Sequence, residues 1–330
     1  MVARAMGSQT RKDREDGPVY HIGGRVGKAW LDIALYGSGE AMRTPNTLEG
    51  HAALLGWLAE RRVTRVGLEA SGGYERKLVA ALRAGGLEVA LLQPRQVRAF
   101  AVYRLRRAKN DRLDAQLIAH CAAALEAVRA APDPRLAPFA EHLRLIEQIE
   151  ADLSRLKTRS EAYHAARLKR WLAQEAARLE RRLKAELLLL GKTISACADL
   201  LHRLDLIESV EGIGRRTALS LLILMPELGT LSRTQIASLA GLAPFDRDSG
   251  KYAGQRRIAG GRPRVRRSLY AAALPASFQW NAALKALYRR LRDKGKPHKP
   301  ALVACARKLL TFANMVLARD TPWVKSAALT

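Results

Sequence analysis

Along the first third of the chain, apolar residues come in short runs divided by turn residues. Val19-Tyr20-His21-Ile22 and Trp30-Leu31-Asp32-Ile33-Ala34-Leu35, on either side of Gly27-Lys28, predict two strands. Residues 47–61 predict a helix with Leu48, Leu54, Leu55 and Leu58 on one side. Val63 to Leu68 predicts a short buried strand ending in Glu69, and Gly72 and Gly73 then open a helix through Arg83. Leu87 to Leu92 predicts another buried strand closed by Pro94, followed by a helix through about Tyr103 and one over Asp111–Leu125. A hairpin followed by alternating helix and strand gives a mixed sheet covered by helices, the order of a ribonuclease-H-like fold.

Pro132-Asp133-Pro134 and Pro138 mark a boundary. From Glu141 to about Leu190 there is neither Pro nor Gly. Leu143, Ile146, Ile149, Leu153 and Leu156 recur three and four apart, as do Leu179, Leu183, Leu187 and Leu190. This predicts a long helix pair, either a coiled coil that carries dimerisation or a hairpin within one chain. Ile207 to Ala218, with Gly212 and Gly214, has the form of a helix-hairpin-helix turn or of an ordinary glycine turn between helices. Ala283 to about Leu317 predicts a final basic helical stretch. The expected division is a disordered basic tail over 1–17, an α/β domain over 18–131, a helical linker over 139–200 and a mainly helical domain over 201–330.

Charge adds the next constraint. Among 330 residues, 57 Lys and Arg against 31 Asp and Glu give a formal net charge of +26, an excess that favours polyanions and phosphate backbones. Aromatic residues make up only 5%, so a broad stacking platform is not the expected device. No run of eighteen apolar residues exists, so no membrane span is expected, and the charged N-terminus is not a secretory signal. Cys121, Cys197 and Cys305 match no zinc or disulfide spacing, which suits a reduced, cytoplasmic protein.

Within Lys109-Asn110-Asp111-Arg112-Leu113-Asp114-Ala115, Asp111 and Asp114 lie one helical turn apart on one face. Like charges that close are best explained by a cation between them, although the same spacing also serves a helix N-cap with no ligand. Glu69 ends a strand, where ligands of open parallel sheets gather, so Glu69, Asp111 and Asp114 are candidates for one divalent-ion site of oxygen ligands. Lys109 is a candidate for a phosphate beside it. Gly212 and Gly214 let backbone N–H groups approach a phosphate at a helix N-terminus, and Arg215 and Arg216 add charge. Ser249 lies in the polar run Asp246-Arg247-Asp248-Ser249-Gly250, followed by Arg256, Arg257, Arg262, Arg264, Arg266 and Arg267. A serine amid arginines, on a chain with a carboxylate cluster, suits phosphoryl chemistry in which a hydroxyl attacks phosphorus.

Four of these motifs, in this order, resemble the insertion-sequence 110 type transposases, also called DEDD transposases or bridge-RNA-guided recombinases. They are Gly67-Leu68-Glu69-Ala70-Ser71-Gly72-Gly73-Tyr74, Lys109 to Ala115, Val210-Glu211-Gly212-Ile213-Gly214, and Ala240-Gly241-Leu242-Ala243-Pro244 through Ser249-Gly250. The resemblance spans about Val19 to Trp323. It implies a RuvC-like N-terminal domain, a coiled-coil middle and a C-terminal transposase domain. It also implies two Mg2+ ions on Glu69, Asp111 and Asp114, and a covalent link from Ser249 to DNA. The implied partners are donor and target DNA, a structured guide RNA and further copies of the chain in a dimer or tetramer, in the bacterial cytoplasm at the nucleoid.

One departure stands out. The family's first acid falls in a G-hydrophobic-D-V-x-K run, and here Gly23-Gly24-Arg25-Val26-Gly27-Lys28 puts Arg25 in its place. The exchange turns a −1 ligand into +1. Three readings remain at this point: an active RNA-guided recombinase, a degenerate copy that binds nucleic acid without catalysis, and a RuvC-like structure-specific nuclease that uses metal-activated water.

Overall fold

The structure, a computed structural model, describes residues 20–105, 111–126, 128, 133–245 and 257–324, with the backbone alone for Tyr20, Asp111 and Arg112. It divides into two compact units, residues 1–131 and 132–330.

In the first unit, β1 (Tyr20–Val26), β2 (Trp30–Leu35) and β3 (Ala41–Pro45) form an antiparallel meander, while β4 (Val63–Glu69) and β5 (Glu88–Leu92) run parallel to β1. The sheet order is β3-β2-β1-β4-β5. Helices α1 (Leu48–Ala59), α2 (Arg76–Ala84), α3 (Pro94–Tyr103) and α4 (Asp111–Ala123) complete the unit. Strand alternation sorts the two faces. Ile22, Ile33, Val66 and Leu68 pack with Leu54, Leu58, Leu78 and Leu82 of α1 and α2 in one core. The opposite face carries α4, whose Ile118 and Cys121 pack with Leu92 and Val97. One expectation changes. Gly72 and Gly73 form a turn rather than open the helix, which begins at Arg76. Pro94 opens α3 at its first position, where its missing N–H costs nothing. The edge strand β3 was not expected, because only Thr44 of its residues is buried and the apolar pattern there is blank.

The second unit is almost wholly helical. Helices α5 (Leu136–Ser160) and α6 (Ala166–Ser195) form a hairpin within the chain, tied by His142 to Glu186 at 2.8 Å and Lys157 to Glu180 at 2.7 Å. Then come α7 (Ala198–Glu208), α8 (Arg215–Leu224), α9 (Arg233–Ala240), the short strands β6 (Pro244–Phe245) and β7 (Arg257–Ile258), and α10 (Pro263–Pro275). A π-helical turn over Ala276–Trp280 leads into α11 (Ala282–Asp293) and α12 (His298–Arg319). The single basic stretch expected over 283–317 is thus two helices, because Gly295 at positive φ and Pro297 break it. The core is one cluster centred on Cys305, Leu309, Leu310 and Ala313 of α12. Among the described residues α12 is the one helix long and apolar enough to cross a membrane, and 56% of that stretch is buried inside the unit. That burial marks it as a core helix.

Candidate acid site and basic surfaces

The acid site is built by two glycines that let a helix lie directly on the sheet. Gly23 of β1 and Gly67 of β4 are lateral neighbours. A Cβ on Gly23 would lie 2.0 Å from Ala119 N, and one on Gly67 would lie 2.5 Å from Ala122 Cβ. Side chains at either position would lift α4 away. Arg65, two residues before Gly67 on the same face, donates to Leu125 O at 2.7 Å just beyond the far end of α4. So α4 runs opposite to β4, and its N-terminal turns lie at the carboxyl ends of β1 and β4.

Two residues past each glycine, on the same face, stand Arg25 and Glu69. Strands lie about 4.8 Å apart, so Arg25 and Glu69 are near neighbours level with the start of α4. Asp32 of β2 is the direct cross-strand partner of Arg25, which brings a third acid to the same face. The Arg25 guanidinium forms an ion pair with the Asp114 carboxylate, through Nη1 and Oδ2. Asp114 is 19% exposed and Asp32 16%. Asp32 also faces Arg43 at 3.7 Å. Asp111 begins α4 one turn before Asp114, and its side chain lies outside the described residues, as does Lys109.

Of the three candidate ligands, the side chains of Glu69 and Asp114 are described, and that of Asp114 is paired with Arg25. A cation site needs several converging oxygens free to coordinate, and Asp114 is already committed to Arg25. Among the described residues no group of three His, Cys, Asp or Glu is placed to hold a metal ion.

The loop after Glu69 holds a residue that sequence reasoning passed over. Glu75, 7% exposed, accepts from Ser71 N at 3.0 Å, Ser71 Oγ at 2.7 Å and Gly73 N at 2.9 Å. Burial pushes its carboxyl up, yet these donors outweigh that and leave it below the ordinary range. They fix the Ser71–Gly73 turn, in which Gly72 and Gly73 take φ of 79° and 124°. No sequence signal marks it, because its donors converge only in the folded turn.

In the second unit, Gly212 takes φ of 99° and packs so closely that a Cβ would meet Ala276 Cβ at 2.4 Å, while Gly214 caps α8 in open space. Most of the neighbouring arginines are engaged with carboxylates or carbonyls of the chain itself. Arg216 binds Glu150 at 2.7 and 2.8 Å and reaches Glu147 at 3.7 Å. Burial would lower its pKa, but those carboxylates raise it instead. Arg264 binds Glu147 at 2.6 Å. Arg262 clamps Glu227 at 2.5 and 2.7 Å and caps α8 through Leu224 O. Arg266 donates to the carbonyls of Gly241 and Gly260. Arg215 pairs with Glu208 at 2.8 Å. Glu147 and Glu150 lie 117 and 66 residues from their arginine partners, beyond the reach of local pattern reading. Arg267 is exposed, and Arg257 lies on β7. β6 and β7 pair as Pro244 with Ile258 and Phe245 with Arg257. They bracket residues 246–256, where Ser249 and Arg256 lie outside the described residues.

Two family models match the chain. A DEDD transposase model of the IS110 type covers residues 38–165, beginning after β1 and so after Arg25. A model described as "Transposase IS116/IS110/IS902 family" covers residues 204–289. The pilin gene-inverting proteins of Moraxella bovis and Moraxella lacunata are each 26% identical over 275 residues, covering 78% of this chain and 81% of the relative. The insertion element IS110 uncharacterized 43.6 kDa protein of Streptomyces coelicolor is 34% identical over 121 residues, 36% of this chain and 29% of that one. The first model covers most of the first unit and runs on through α5, the second lies within the second unit, both name the same lineage, and the chain belongs to the IS110 family of transposases.

Proposed function

We propose that this chain is a DNA strand-exchange protein whose chemistry is attenuated because Arg25 closes its acid site. The observation that carries the reading is the Arg25–Asp114 ion pair at the carboxyl end of β1, beside Glu69. In the family pattern that position is an acid, so a guanidinium stands among carboxylates where oxygen ligands would meet. At about 4 Å and an effective dielectric near 20, each unit-charge interaction is of order 4 kcal/mol before solvent screening. A two-unit change therefore strongly disfavours a dication. The two Mg2+ ions that the resemblance implies on Glu69, Asp111 and Asp114 need Asp114 released from Arg25.

The nucleophile in this reading is Ser249. Its Oγ forms a bond to a DNA phosphorus, the bond from phosphorus to a sugar oxygen breaks, and that oxygen leaves as a hydroxyl with the proton the serine gives up. The phosphodiester is kept in the protein link, so rejoining needs no outside energy. The family relationship supports DNA as substrate, and the +26 charge supports backbone binding of DNA and of a structured RNA. The Moraxella relatives are named for gene inversion, which motivates strand exchange at paired sites for this chain. Exposed Trp171 at 58%, Leu188 at 66% and Leu189 at 53% on α6 support self-association through the α5–α6 hairpin.

The test is strand exchange with cognate RNA, Mg2+ and plasmid substrates. Arg25→Asp should raise product at least ten-fold, and Ser249→Ala should abolish a protein–DNA adduct in that background. Equal activity of the native chain and Arg25→Asp contradicts the closure. An adduct that survives Ser249→Ala removes the serine role and leaves hydrolysis by water.

A further inference from the structure

Composition argued against a broad stacking platform, but the second unit sets three rings together in one basic place. Phe278, on the π-helical turn, packs edge-to-face on Tyr288 of α11 with ring centroids 4.9 Å apart. His298, at the start of α12, lies 5.8 Å from Tyr288 and 6.4 Å from Phe278, nearly parallel to the latter. The Tyr288 hydroxyl and His298 Nδ1 are 2.6 Å apart, which locks the pair. Phe278 remains 47% exposed, and Trp280, two residues on, 59%.

The support beneath them is rigid. Asn281, 1% exposed, donates to Glu211 O at 3.0 Å and accepts from Leu284 N at 3.1 Å. It holds the end of the π-helical turn and caps α11. Turns of this kind often mark functional positions.

The surroundings carry spare charge. Residues 282–300 hold seven Lys or Arg and one acid, Asp293. None of Lys285, Arg289, Arg290, Lys294, Lys296 and Lys299 pairs with a carboxylate among the described residues. This differs from Arg216, Arg262 and Arg264, which are consumed by Glu150, Glu227 and Glu147. Lys285 and Arg292 lie three and four residues from Tyr288, on its face of α11. Exposed rings beside unpaired cations are the arrangement that holds a strand with its bases unstacked.

We propose that the Phe278–Tyr288–His298 cluster, with Trp280 beside it and the cations of α11 around it, stacks an unpaired base of a bound nucleic-acid strand. The proposal rests on the reading of the chain as a nucleic-acid-acting recombinase and adds a site for single-stranded nucleotides to it. The strand comes either from an RNA loop or from DNA opened during exchange.

The test uses the full chain with a 20-nucleotide oligo(dT), a matching oligo(U) and a blunt DNA duplex, in Phe278→Leu, Trp280→Leu and Phe278→Trp variants. Loss of the ring should weaken single-strand binding by about ten-fold per ring, leave duplex binding unchanged and leave the salt dependence unchanged. Phe278→Trp should retain native affinity. A larger loss on oligo(U) assigns the site to RNA, and a larger loss on oligo(dT) assigns it to DNA. Unchanged single-strand binding in both leucine variants, or equal losses on single strand and duplex, overturns the stacking site. Failure of the native chain to bind the duplex at all contradicts the underlying reading instead.

Discussion

Arg25 and Asp114 meet because two glycines admit α4 to the sheet, and the pair then decides what the site can hold. Other single residues set how the first unit responds to acid. His51 is 3% exposed, with Nε2 2.8 Å from Asn46 Oδ1. Burial, with the charge of Lys77, holds its pKa below the ordinary 6.5. Burial and Arg65 do the same at His21. The unfolded chain then takes up protons at these histidines before the folded chain does. Their contribution is complete above pH 6.5 and is lost as pH falls through the lowered values. Glu75, also depressed, adds a second loss at lower pH, below the ordinary carboxylate range. The melting temperature should therefore fall between pH 7.5 and 5.5, with His51→Gln blunting that fall. Glu75→Gln should cost about 1–3 kcal/mol at pH 7 by chemical denaturation. Glu69 was legible because it ends a strand, Asp114 because it lies one helical turn from Asp111, and Arg25 through the Gly23 to Lys28 run that the resemblance singles out. Glu75 was not, since its importance comes from donors that only the folded turn brings to it.

At the level of elements, the Gly23–Gly67 rung is what presses α4 onto β1 and β4. Gly23→Ala and Gly67→Ala should each destabilise by about 1–3 kcal/mol, because the added carbon meets helix backbone or Ala122 with little room to move. Gly56→Ala is the control: it is exposed inside α1 with nothing within 4 Å of the added carbon, and should stabilise by about 0.5–1 kcal/mol. In the second unit, Glu147→Ala should cost about 3 kcal/mol, since it leaves Arg264 without its carboxylate and weakens the hold on Arg216. Urea unfolding of the intact chain measures all four. The strands with strong apolar runs and the helices with leucine periodicity were readable from local pattern. The break between α5 and α6 was not, because residues 161–165 contain neither Gly nor Pro. Nor was the use of Arg216, Arg262 and Arg264, whose partners are supplied by tertiary contact.

For the whole molecule, the net charge of +26 means affinity for nucleic acid governed by counterion release. Duplex binding should fall steeply between 50 and 200 mM salt, by about 10³-fold if six phosphates are engaged, and a filter or anisotropy titration reads it directly. A slope near zero would show that the charge serves another purpose. The central claim concerns the acid site, and calorimetric titration of Mg2+ into the native chain and Arg25→Asp tests it without relying on turnover. The account predicts that Arg25→Asp binds at least about 100-fold more tightly than the native chain, whose binding is weak. Equal affinity in the two proteins would contradict it.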